Sequence, residues 1–101
     1  MHQAMTTVPA AAIWAGDRVD LSNLGFAAPM LVLASYDGPP RGEHLAPGFD
    51  VTHASAAACF ERAGLGLTLV VAPTSTARAS VVYVDNAERL FKVVDQMDDA
   101  A

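Results

Sequence analysis

Apolar and polar positions divide the chain into short segments. The run Leu67-Thr68-Leu69-Val70-Val71-Ala72 is almost continuously apolar and predicts a strand buried on both faces, ended by Pro73. Just before it, Ala56, Cys59, Phe60 and Ala63 fall at helical spacing, with Ser55, Glu61 and Arg62 pointing elsewhere. That pattern predicts a helix started by Asp50 or Thr52 and stopped at Gly64.

Other segments admit two readings. Leu24 to Tyr36 is apolar enough for a helix beginning near Pro29, or for a buried strand over Met30–Ala34. Residues 76–85 place Ala77, Val81 and Val84 at i, i+4 and i+7, yet Val81-Val82-Tyr83-Val84 has strand propensity. Lys92-Val93-Val94 predicts a short strand, and Gln96–Ala101 an acidic amphipathic tail. Ser22 or Asn23 is placed to cap a helix, and Thr74-Ser75 forms another capping pair. The punctuation is Gly16-Asp17, Asp37-Gly38-Pro39-Pro40 and Pro47-Gly48. The sum is an α/β domain over residues 10–101, preceded by a ragged start at 1–9.

With 101 residues, the chain is long enough for one core and no more. The hydrophobic fraction, 52%, excludes a disordered tail. Phe26–Ala34 is the nearest approach to a membrane span, and Pro29 breaks it, so no membrane insertion is expected. MHQAMTTVP has no cation ahead of its apolar stretch, which argues against a secretory signal. One cysteine fits a reducing compartment, and the cytoplasm is the expected location. A net charge of −5 with cations scattered singly speaks against nucleic acid. Arg outnumbers Lys and Ala is abundant, which reads as the codon bias of a GC-rich genome.

The chemistry-bearing residues form no catalytic set. Histidines at 2, 44 and 53 lack ligand spacing, so neither a metal nor a general-base role is expected. Cys59 sits on an apolar helical face, no serine stands in a nucleophile elbow, and Gly64-Leu65-Gly66 is no phosphate loop. The expectation is a protein that is not an enzyme and needs no cofactor.

Gly16-Asp17-Arg18-Val19-Asp20-Leu21-Ser22-Asn23 resembles the G-x-x-D-L-S-N run opening the first helix of STAS domains, the small domains of anti-sigma-factor antagonists. Phe49-Asp50-Val51-Thr52 resembles that family's F-x-D-x-S/T-G turn, with His53 where the family has glycine. Arg89-Leu90-Phe91-Lys92-Val93-Val94-Asp95 is similar to its R-L-F-x-V-V-D ending. The resemblance implies an α/β fold, a central mixed sheet of about four strands with helices mainly on one side.

It also implies a bacterial regulatory protein that binds a kinase-type anti-sigma factor or related protein kinase. Thr52 would be the phosphorylated residue, and Asp50, His53, Ser55, Ser75 and Thr76 would contribute to the partner surface. A hydroxyl at a helix N-terminus suits phosphate, while a plain cap needs no partner. Two alternatives stand beside it. One is an unswitched interaction or scaffold module of the same fold. The other is a small-molecule-sensing domain of flavodoxin-like architecture, with Thr52 and Ser75 near its crevice. Oligomeric state stays open.

Overall fold

The computed structural model describes residues 5–54 and 66–94. Six strands run through it: β1 (Met5–Pro9), β2 (Arg18–Asp20), β3 (Met30–Asp37), β4 (Leu67–Ala72), β5 (Ser80–Val84) and β6 (Leu90–Val94). They form one sheet in the order β1-β6-β2-β3-β4-β5, and every neighbouring pair is antiparallel. The only helical pieces among the described residues are 3-10 turns at Ala10–Ala12, Ser22–Leu24 and Gly42–Leu45. No helix among them is long and apolar enough to cross a membrane.

This architecture overturns the expectation of an α/β STAS-like fold with about four mixed strands and packed helices. Three local choices account for the difference. At Gly16–Asn23 the chain builds β2 and a 3-10 turn where the resemblance implies a first helix. There the Asp20 carboxylate accepts the Ser22 N–H (2.9 Å) and closes a turn, and Leu21, not Ser22 or Asn23, takes the N-cap position. Pro29 leads into β3, and residues 80–84 follow their β-branched composition and pair with Leu67–Val71. Met5–Pro9, part of the stretch read as ragged, is the edge strand β1. The helix expected over 55–64 and the tail at 96–101 lie outside the described residues.

Strand alternation places the core. Val19, Met30, Val32, Leu67, Leu69, Val71, Val82, Val84 and Phe91 project from five strands into one cluster, completed by Ala10, Ile13 and Leu21. Burial of each large aliphatic chain there contributes roughly 1.5–3 kcal/mol. The alternation breaks once, in β3. Register shifts between Val32 and Ala34, so Leu33 is the extra residue of a β-bulge. Leu33 and Ala34 therefore both join the second apolar cluster, around Val70, Ala72 and Ala79 on the other face. Ser35 turns inward opposite Leu69, and its hydroxyl donates to the Ile13 carbonyl (2.9 Å). Every residue of β4 is buried, as its composition predicts. Its polar member, Thr68, donates to the Gly38 carbonyl (2.8 Å).

Candidate functional site

Between β3 and β4 the chain makes a long excursion whose ends meet. The Gly38 N–H donates to the Gly66 carbonyl (2.9 Å). The first part of this excursion, residues 39–54, includes a strap that crosses the outer face of the sheet and reaches the edge of β5. Asp50 bonds there in both directions. Its N–H donates to the Ala79 carbonyl (2.9 Å) and its carbonyl accepts the Val81 N–H (2.7 Å), a short parallel bridge centred on Ser80. The free edge that β5 leaves in the sheet order is thereby partly paired.

Aromatic packing holds the strap onto the sheet. After the bulge, Tyr36 faces outward opposite Thr68. Its hydroxyl accepts the Arg41 N–H (2.9 Å) and shares a second hydrogen bond with Nδ1 of His44 (2.7 Å). The Arg41 guanidinium lies 4.2 Å above the Tyr36 ring. His44 stacks on Tyr36 and meets Phe49 edge-on at 5.2 Å between ring centres. Phe49 in turn packs on the second apolar cluster. Glu43 comes within 3.7 Å of His44 Nε2.

Beyond Phe49, the chain makes the turn that carries the sequence-predicted residues. One Asp50 oxygen, Oδ1, accepts both the backbone N–H (2.9 Å) and the hydroxyl of Thr52. This is an Asx turn. Thr52 is exposed in a turn rather than seen capping a described helix. His53 is half-buried, 4.4 Å from the Phe26 ring, and its Nδ1 is buried without a partner. Ser75 and Thr76 are exposed in the β4–β5 connection, whose far end, Ala79, receives the Asp50 N–H. Ser55 lies outside the described residues. Asp50, Thr52 and His53 are thus brought together on one turn.

Sequence reasoning missed Tyr36, Arg41, Phe49 as an anchor, and the role of His44. Nothing local joins a strand tyrosine to a histidine in the next loop. The clue was parity: with a bulge at Leu33, Tyr36 faces the strap. Among the described residues no group of three or more His, Cys, Asp or Glu side chains is placed to hold a metal.

The Asp50 carboxyl is held below its ordinary value of 3.8, first by the Thr52 hydroxyl and then by the Thr52 N–H. Arg78 and His53 add smaller attractions, and desolvation opposes them. A carboxyl with a depressed folded-state pKa contributes stability that is complete above the unfolded value. That contribution disappears as pH falls through the folded one. Asp50→Asn removes the titration while keeping an acceptor for the Thr52 N–H. Its unfolding midpoint, followed from about pH 5 to about pH 2, is expected to fall less steeply than the parent's. Parallel curves would exclude the Asp50 contribution.

No protein-family model, curated protein or solved structure matches the chain. The likeness of Phe49–Thr52 and Arg89–Asp95 to STAS motifs is one of short motifs, set in a different architecture.

Proposed function

We propose that this domain is a non-catalytic protein-binding module whose contact surface is the strap, with the Asp50–Thr52 turn at its centre. One observation carries the reading. The strap exposes two large apolar side chains, Leu45 (39% exposed) and Val51 (40%), while its backbone is bonded to the edge of β5. Exposed apolar groups on a fixed backbone, bordered by Arg41, Asp50 and Thr52, have the make-up of a small interface with a polar rim.

The motif likeness at Phe49–Thr52 suggests the partner, a kinase-type anti-sigma factor or related kinase, and Thr52 as the residue it modifies. Phosphate at Thr52 would remove the hydroxyl donor and set about two negative charges beside the Asp50 carboxylate. The Asx turn would open, and the contact surface would change shape and charge together. An unswitched module is the second reading, favoured by the Thr52 hydroxyl being already engaged by Asp50.

The test incubates the full chain with a purified kinase-type anti-sigma factor and ATP, maps phosphate by mass spectrometry, and measures binding. Modification at Thr52, with binding lowered about tenfold or more by Thr52→Glu, is expected. Equal binding by wild type and Thr52→Glu, without modification, leaves the unswitched module. Binding untouched by Leu45→Ser and Val51→Ser would remove the strap as the contact.

A further inference from the structure

The opposite half of the sheet carries a cleft that owes nothing to the strap. In β6, Leu90 and Lys92 share the outer face while Phe91 turns into the core. Register sets Lys92 opposite Thr7 of β1 on one side and opposite Asp20 of β2 on the other. The three side chains therefore form one row across neighbouring strands, with paired Cα atoms about 5 Å apart. The 3-10 turn after β2 raises Ser22 and Asn23 beside this row, and Leu90, 62% exposed, stands at its other flank. They line an open cleft of about 340 Å³, near the lower end of small-molecule sites at roughly 300 Å³.

Two side chains of opposite charge, Asp20 and Lys92, line this cleft. Asp20 accepts the Ser22 N–H (2.9 Å), and that bond leads the causes that favour its carboxylate form. Lys92 stands on the adjacent strand without closing an ion pair with any described residue. A simple anion placed here meets Asp20, and a simple cation meets Lys92. A neutral sugar satisfies neither charge. A ligand bearing both an ammonium and a carboxylate satisfies the two at once and matches the neutral sum of the pair. Leu90 then offers its side chain to an aliphatic group.

We propose that the cleft between β1, β6 and β2 binds a free α-amino acid with an aliphatic side chain. Its carboxylate would pair with Lys92 and its ammonium with Asp20, with Thr7, Ser22 and Asn23 as polar neighbours. The experiment is an NMR titration of the full chain with L-leucine, L-leucinamide, N-acetyl-L-leucine and glucose. Leucine is expected to give saturating shifts concentrated at the amides of Thr7, Asp20, Ser22, Asn23 and Lys92. Leucinamide and N-acetyl-leucine each lack one charge and are expected to bind about tenfold more weakly or worse. Lys92→Gln, at an exposed position, is expected to lose leucine with an otherwise unchanged spectrum, and Asn23→Ala to weaken it. Absence of saturating shifts, equal binding of leucinamide, preference for glucose, or unchanged affinity in Lys92→Gln overturns the proposal. None of these results depends on whether the strap binds a protein.

Discussion

Gly66→Ala is expected to destabilise the domain by about 3 kcal/mol or more. A methyl group at position 66 would lie 2.0 Å from the Val84 carbonyl oxygen and 2.8 Å from the Asp85 Cα. Both are backbone atoms, so no rotamer change relieves the overlap, and the β4–β5 pairing at Leu67 and Val84 must move instead. The damage reaches the strap as well. The Gly66 carbonyl accepts the Gly38 N–H, and the Gly38 carbonyl accepts the Thr68 hydroxyl. This corner therefore closes the excursion that carries Arg41, His44 and Asp50. A fall in Tm of more than about 10 °C is expected, with the amides of Gly38 and Thr68 among those most shifted. A Tm within about 2 °C of the parent's would mean that β4 and β5 do not approach so closely at this corner.

What could be read from the chain follows the range of the interactions. The strand Leu67–Ala72 was legible because burial on both faces leaves an unbroken apolar run, and Asp37-Gly38-Pro39-Pro40 marked the end of β3 through its own backbone preferences. The Asp50 turn is equally local, since an Asx turn is complete within three residues. Residues 80–84 carried both periodicities, and only their pairing with β4 decides for the strand. The sheet order was out of reach. β6 lies between β1 and β2, far from β5 in the sheet although it follows β5 in the chain, and nothing local in Leu90–Val94 announces those neighbours. The motif likeness at Gly16–Asn23 led toward a helix because Asp-x-Ser and Ser-Asn runs serve turns and caps alike. The Tyr36–His44 contact depends on the bulge at Leu33, whose register exists only between two strands.

Leu69→Ala is expected to lower stability by roughly 2–5 kcal/mol, against about 0.5 kcal/mol for Leu90→Ala. The two leucines stand on the same sheet and differ in facing. Leu69 is fully buried in the cluster fed by β2, β3, β4, β5 and β6, whereas Leu90 is 62% exposed beside the Lys92 row. Removing the Leu69 side chain leaves a cavity walled by strands that pair on both sides and so cannot collapse into it. Removing Leu90 takes away a surface chain, and the effect falls on the cleft. Urea midpoints of both variants measure the contrast. Because strand side chains alternate with period two, a slip of one residue in β6 would bring Leu90 and Lys92 inward and Phe91 outward. Equal losses at the two positions would therefore refute the facing of β6, and with it the row of Thr7, Lys92 and Asp20.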